Sequence, residues 1–191
     1  MAEWISVYCR RQVSLEAEAM RRELDVADLW TLAEALELAE DELDAAVESM
    51  FRHLRVEPAG DGRAWIEVHW KPEGRPIQIG SVTDKRQIAD MLEESLPAAT
   101  GPGAASATGE PGPPTRVRTH LRQCQQIVNF ELSIDDAQHL GATIGEVLAF
   151  FIAGAGEGLV WFFGQGWAFL DDRAATIWTT GEPASSQSAY N

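Results

Sequence analysis

Apolar and polar positions give their strongest pattern between Glu131 and Leu170, which predicts the end of a strand, a helix and an aromatic hairpin. The helix is predicted over Ile134–Ala153, because apolar residues recur there at helical spacing: Ala137, Leu140, Ile144, Val147, Leu148 and Phe151. Small residues occupy every fourth position of the same helix, at Gly141, Gly145, Ala149 and Ala153. Because glycine costs an exposed helix about 1 kcal/mol relative to alanine, this ridge predicts close packing against another backbone. The hairpin, residues 159–170, begins with a strand that is apolar on both faces, which is typical of a strand covered on two sides.

Alternating apolar and polar residues predict further strands, over Trp4–Cys9, Ala64–Trp70 and Gln125–Leu132, with a return strand that begins at Ile77. Helical spacing predicts three short helices between residues 14 and 54, with capping residues Ser14, Asp25 and Asp41. The third helix carries one apolar stripe, formed by Leu43, Val47, Met50 and Leu54. A further amphipathic helix is predicted over Asp84–Leu96. Hairpins that adjoin helices predict an α+β fold, in which helices pack on an antiparallel sheet of hairpins.

Residues 98–114 separate the chain into two halves, because this segment contains no aromatic and no branched aliphatic residue. Such a composition buries too little apolar surface to offset the entropy of ordering, so we predict a flexible Gly/Pro/Ala linker. The linker defines an acidic N-terminal α+β half over 1–97 and a C-terminal strand–helix–hairpin half over 115–180. Residues 181–191 are predicted to form a disordered tail.

A short internal echo relates the two halves: residues 60–66 match residues 156–162, with three identical and three conservative positions. Each half also reads as a strand, a helical segment and a hairpin. Two halves related by duplication are one interpretation of this pattern. The other is that two glycine-containing turns resemble each other by chance.

The net charge of −15 is the strongest global property of the chain, and it is concentrated near the N-terminus. Residues 14–54 contain twelve acidic residues against three arginines. Such a surface repels phosphate backbones and anionic membranes, so we expect neither a nucleic acid nor a membrane as partner. It favours a basic protein partner instead.

The expected compartment follows from what the sequence lacks. Cys9 and Cys124 lie far apart with no CxxC spacing, so neither a zinc site nor a disulfide framework is predicted. The N-terminus has no basic region followed by an apolar run, which would mark a signal peptide. The helix over 134–153 contains three carboxylates and one histidine, which is too polar for a membrane span. A cytoplasmic location is therefore the expectation.

Residues 28–54 read as two helices joined by a short break, and residues 55–70 read as a hairpin. This order resembles a winged-helix domain over about a fifth to a quarter of the chain. The resemblance implies a recognition helix, and a helix that reads DNA presents Arg, Lys, Ser, Asn or Gln to bases and phosphates. Here the helix would present Glu42, Asp44 and Glu48, which repel phosphates. The segment is better suited to an acidic surface that competes for the basic site of a nuclease.

Catalytic signatures are missing from the sequence, which has no nucleophile elbow and no HExxH, Walker or dinucleotide-binding pattern. His120 and Cys124 could share a helical face, but two ligands fall short of the three or four that metal sites use. An enzymatic alternative would need Asp135, His139 and Glu146 in one cleft, although Glu146 lies about 10 Å from His139 along a helix axis. We therefore predict a protein that is not an enzyme, with no catalytic residue, metal or cofactor.

The leading hypothesis is a non-enzymatic, acidic protein-binding module of immunity type, an antagonist that neutralises a basic toxin or nuclease. Trp65 is a candidate surface anchor, because its neighbours Arg63, Glu67 and His69 are polar. The residues expected to contact the partner are Glu34, Glu37, Asp41, Glu42, Asp44, Glu48 and Trp65. The alternative is a winged-helix-like regulatory protein that acts through protein contacts, forming a homodimer through the small-residue helix and the aromatic hairpin.

Overall fold

The computed structural model describes residues 2–29, 40–59, 65–95, 113–137, 140–162, 166–169 and 178–179. The strands are β1 (Ala2–Cys9), β2 (Arg55–Pro58), β3 (Trp65–His69), β4 (Ile77–Val82), β5 (Gln126–Ser133), β6 (Gly158–Phe162), β7 (Gly166–Phe169) and β8 (Trp178–Thr179). The helices are α1 (Ala17–Val26), α2 (Glu40–His53), α3 (Lys85–Ser95), α4 (Pro113–Leu121), α5 (Ile134–Ala137) and α6 (Leu140–Gly156).

Within these described ranges, eight strands form one sheet in the order β2-β3-β4-β5-β1-β6-β7-β8. Every neighbouring pair is antiparallel. Helices pack on both faces of the sheet. The prediction of an α+β fold built on an antiparallel sheet of hairpins is therefore confirmed.

The N-terminal strand β1 lies between two strands of the C-terminal half. Ile5 is paired with Phe130 of β5 on one side and with Phe162 of β6 on the other. Strand β4 pairs with the far side of β5, so strands from before and after the predicted linker alternate at the centre of the sheet. The two halves consequently share one sheet. Most of the linker and all of the tail over 181–191 lie outside the described residues, and α4 already begins at Pro113.

The first face of the sheet carries the larger core, and α1, α2 and α6 cover it. Its strand positions alternate along the chain and include Ile5, Val7, Cys9, Ile66, Val68, Ile77, Ile79, Val128, Phe130, Leu132 and Val160. The predicted stripe of α2 is buried in the same cluster, through Leu43, Val47, Met50 and Leu54. These alternating strand residues therefore fix which side of the sheet the acidic helix α2 occupies.

A smaller core lies on the second face, where α3 and α4 cover one end of the sheet. Ile88 of α3 and two residues of α4, Val117 and Leu121, pack there against Tyr8, Ile127, Leu159 and Trp167. Strand register places Tyr8 directly between Ile127 and Leu159. The second core therefore rests on the row formed by Ile127, Tyr8 and Leu159, together with Trp167 from the neighbouring row, where it is paired with Trp161.

The small-residue ridge seats α6 on the sheet. All four of its members are buried: Gly141, Gly145, Ala149 and Ala153. A Cβ atom at Gly145 would lie 2.9 Å from Cδ1 of Ile5 and 3.5 Å from Cδ2 of Leu132. Close packing of the ridge is thus confirmed, but Gly145 packs against side chains of β1 and β5 and not against another backbone.

Local boundaries differ from the predictions at several residues. Helix α1 begins at Ala17 after Glu16, so Ser14 does not cap it, and it continues past Asp25, which therefore does not cap a following helix. Helix α2 already includes Glu40, so Asp41 lies inside it and does not cap it. The helix predicted over 134–153 is described as α5 and α6, and residues 138 and 139 lie outside the described residues. Helix α6 continues to Gly156 and ends before Glu157, whose φ is 49°.

The two copies of the internal echo occupy different positions in the fold. Residues 65 and 66 begin β3, which follows strand β2 in the chain, whereas residues 156–162 run from the end of α6 through β6. The echo therefore does not mark equivalent elements. Among the described elements, both halves do share an order of one strand, then helices, then three strands.

We expect Gly145→Leu to lower the free energy of unfolding by about 1–3 kcal/mol or more, because the larger side chain overpacks the contact with Ile5 and Leu132. Ala155→Leu, at an exposed position of the same helix, is the control and should change that free energy by less than about 0.5 kcal/mol. Urea denaturation measures both. A Gly145 variant that unfolds at higher urea than the wild type would mean that the ridge faces water.

Candidate functional site

The candidate site is the part of the second face that the described helices leave uncovered, which we call the open face. Strand register places eleven residues side by side there: Trp4, Ser6, Glu57, Trp65, Glu67, His69, Gln78, Gly80, Asn129, Glu131 and Trp161. They come from six strands of the sheet, β1 to β6. The site is therefore assembled by sheet order and not by any local stretch of sequence.

One row of the open face is acidic. Its members are paired across five strands in the order Glu57, Glu67, Gln78, Glu131 and Trp4. Gln78 links the row, because its Nε2 donates a hydrogen bond to Oε1 of Glu67 at 3.4 Å. The exposed fraction of the carboxylate side chains falls from 49% at Glu57 to 14% at Glu131. A carboxylate that is partly withdrawn from water favours a cation that restores its interactions.

Basic side chains of the same chain lie beside this row. Nε2 of His69 lies 3.5 Å from carboxylate oxygens of both Glu57 and Glu67. Nη2 of Arg75 lies 2.7 Å from Oε1 of Glu131. Arg55 is exposed on the edge strand β2 and is paired with His69 in the register. The open face is thus a network of opposite charges around an acidic centre.

Three tryptophans frame the polar centre of the open face. Trp4 is 42% exposed, and Trp65 and Trp161 are half-buried. The ring of Trp65 lies over Gly80, where an added Cβ would be 3.2 Å from the ring. Between the rings, Oγ of Ser6 donates a hydrogen bond to Oδ1 of Asn129 at 2.8 Å. Rings of this kind, held in place with one surface accessible, are the residues most enriched at binding hot spots.

A cleft of about 580 Å³ adjoins the open face beyond Trp65. Its walls include the loop after β1 and the hydroxyl residues Ser81 and Thr83. Buried Gln126 holds that loop: its Oε1 accepts from the backbone N of Val13 at 2.7 Å, and its Nε2 donates to the carbonyl of Val13 at 3.0 Å. The cleft therefore has one aromatic wall and one wall fixed by hydrogen bonds.

The structure separates the residues that the sequence grouped as a partner-binding site. Helix α2 packs on the first face, and its Asp44 and Glu48 are exposed. Asp41 and Glu42 belong to the first turn of the same helix. Trp65 lies on the second face, because it alternates with Ile66, which belongs to the first core. Glu34 and Glu37 lie outside the described residues.

The sequence pattern places three residues of the open face together and does not identify the others. Trp65, Glu67 and His69 were grouped by strand alternation, and the structure keeps them together; Arg63 lies outside the described residues. The missed residues include Trp4 and Glu131, which are paired although 127 positions separate them in the sequence. The alternation of apolar and polar residues places each of them on a strand face, but it does not indicate that β1 pairs with β5.

The titratable groups buried elsewhere serve the fold. His120 is 5% exposed, and its Nε2 donates to the carbonyl of Tyr8 at 2.7 Å. Burial lowers the pKa of His120 below its ordinary value of 6.5, against the opposing effect of that hydrogen bond. Burial raises the pKa of Cys9 to about 12 and that of Cys124 to about 11, so neither thiol is activated as a nucleophile.

The other candidates from the sequence are not brought together into a site. Sγ of Cys124 donates to the carbonyl of Gln126 at 3.2 Å, and α4 ends at Leu121, so His120 and Cys124 do not share a helical face. Among the described residues, no group of three His, Cys, Asp or Glu side chains could hold a metal ion. Asp135 forms an ion pair with Lys71 at 3.1 Å, and His139 lies outside the described residues.

The hairpin that resembles a wing is part of the main sheet. Strands β2 and β3 pair with each other, and β3 continues into β4 through the pair formed by Ile66 and Ile79. A wing is instead a hairpin that projects from the domain to contact a nucleic acid, and this one has β4 along its second edge.

Within the described ranges, no helix has the length and apolar character needed to cross a bilayer. No protein-family model, no curated protein and no solved structure matches the chain.

We expect stability to fall as the pH falls below about 6.5, because the unfolded chain then binds a proton at His120 that the folded chain excludes. His120→Gln keeps a donor for the carbonyl of Tyr8 but cannot titrate, so the loss of stability between about pH 7.5 and pH 5.5 should be smaller in the variant. Thermal melts of both proteins across this range measure the difference. The surface carboxylates are common to both, so equal slopes would contradict the assignment of a depressed pKa to His120.

Proposed function

We propose that this protein is a non-enzymatic protein-binding module that uses the open face to bind a basic segment of a partner protein. The observation that carries the proposal is the acidic row beside accessible tryptophans, in which Glu131 is only 14% exposed and is paired with Trp4. Aromatic rings supply contact area at low entropic cost, and desolvated carboxylates select for cations.

The net charge of −15 adds a long-range contribution to the same function. Exposed Asp44 and Glu48 on α2 lie on the other side of the sheet from the open face. We therefore assign these acids to the steering of a cationic partner during its approach, which raises the association rate and weakens with salt. Direct contact is assigned to the open face.

The specific form that we propose is an antagonist of immunity type, in which the open face covers the basic site of a toxin or nuclease. A cytoplasmic location is part of the proposal, because both cysteines are free. This form accounts for an acidic surface whose fixed aromatic and carboxylate groups suit recognition of a folded basic site.

The alternative remains a regulatory protein that acts through protein contacts and a homodimer. Two components of the predicted interface are buried within the chain. The small-residue ridge contacts Ile5, and Trp167 of the hairpin is 1% exposed. A dimer would need another surface. Sedimentation of a stable dimer at tens of micromolar would favour this alternative over the antagonist.

Two matched double variants test which surface makes contact. Glu67→Gln/Glu131→Gln and Asp44→Asn/Glu48→Gln each remove two negative charges, the first pair from the open face and the second from α2. With a fluorescent arginine-rich peptide as the probe, the open-face variant should bind at least about tenfold more weakly, because two charged contacts are lost. The α2 variant should change the affinity by about twofold or less.

Fluorescence anisotropy at low salt measures the affinities, and thermal melts confirm that both variants are folded. Equal losses in the two variants would mean that the peptide responds to net charge alone. A larger loss in the α2 variant would move the binding site to the surface that the sequence predicted.

A further inference from the structure

Arg75 of the same chain contacts the acidic row of the open face. Its Nη2 lies 2.7 Å from Oε1 of Glu131 and also donates to Oε1 of Gln78 at 3.1 Å. The same Gln78 donates from Nε2 to Oε1 of Glu67, so its amide connects the guanidinium to a second carboxylate. These contacts form a receptor for a guanidinium group, with an acidic oxygen and an amide oxygen side by side.

The receptor is fixed more firmly than the arginine that fills it. Glu131 and Gln78 are paired residues of two adjoining strands, and Trp4 is paired with Glu131 on its other side. The Glu131 side chain is 14% exposed, whereas that of Arg75 is 52% exposed. Arg75 belongs to the bend between β3 and β4, next to Gly74 with a φ of 116°. An ion pair with one exposed member contributes little stability, so another guanidinium can replace it at low cost.

Arginine suits this site better than lysine does. A guanidinium is planar and stacks on aromatic rings. Here one of its nitrogens, Nη2 of Arg75, reaches the oxygens of both Glu131 and Gln78, and Trp4 offers a ring at the next position of the row. A lysine ammonium could donate to both oxygens, but it has no planar face to stack on that ring.

We infer that Glu131, Gln78 and Trp4 form an arginine-binding subsite for the partner, which Arg75 occupies while the partner is absent. This inference rests on the proposed function and adds the chemistry of the contact and a competitor within the chain. Binding replaces the Arg75 guanidinium with an arginine of the partner, and the released Arg75 side chain returns to water.

Arg75→Gln tests the competition, with Arg22→Gln as a control that removes one positive charge from an exposed residue of α1. Measured by anisotropy, Arg75→Gln should bind an arginine-rich peptide about fivefold more tightly than the wild type does. Arg22→Gln should stay within about twofold. The gain should be smaller for a lysine peptide of the same length and charge, and it should vanish when Arg75→Gln is combined with Glu131→Gln.

The outcomes separate this inference from the proposed function. If Arg75→Gln and Arg22→Gln bind alike while Glu67→Gln/Glu131→Gln still loses affinity, the open face binds the peptide and the competition is overturned. An equal gain for the lysine peptide would overturn the choice of arginine. If neither the wild type nor Arg75→Gln binds the arginine peptide, the inference and the proposed function both fail.

Discussion

Strand β1 pairs with β5 on one side and with β6 on the other, and α6 lies across these strands with its small-residue ridge buried. The contact leaves no room for a side chain at Gly145, opposite Ile5, or at Gly158, where an added Cβ would lie 2.8 Å from Val7 and from the backbone of Ala153. Strand β1 comes from the start of the chain, and both strands that it pairs with come from the C-terminal half. Neither half therefore has a closed core alone. The open face exists for the same reason, since it consists of residues from six strands that this pairing holds in one plane.

The features that the sequence predicted are those that depend on local spacing. The apolar stripe of α2 and the small-residue ridge of α6 could be predicted because a helix places every third or fourth residue on one side. Strand alternation likewise placed Trp65 with Glu67. The order of strands could not be predicted, because the pairing of Trp4 with Glu131 depends on tertiary packing and produces no pattern in either segment. Because strand order could not be predicted, the acids of α2 and Trp65 were expected in one site, although the sheet lies between them.

Charge has two distinct roles in the function that we propose. The exposed acids, of which Asp44 and Glu48 are examples, act at long range through the net charge of −15 and are screened by salt. The carboxylates of the open face act at short range, because they are partly desolvated and held by neighbours such as Gln78. The deeply buried groups His120 and Cys9 have pKa values that burial displaces toward their neutral forms.

We propose that the open face, and not the acidic helix α2, contacts a basic partner. Nitrogen-15 NMR tests this proposal most directly, because the indole N–H groups of tryptophan give resolved signals that can be followed as an arginine-rich peptide is added. We expect the indole signals of Trp4 and Trp65 to shift with the peptide, while that of Trp167, 1% exposed in the second core, stays in place. Shifts confined to the backbone amides around Asp44 and Glu48, with the indole signals unchanged, would contradict it.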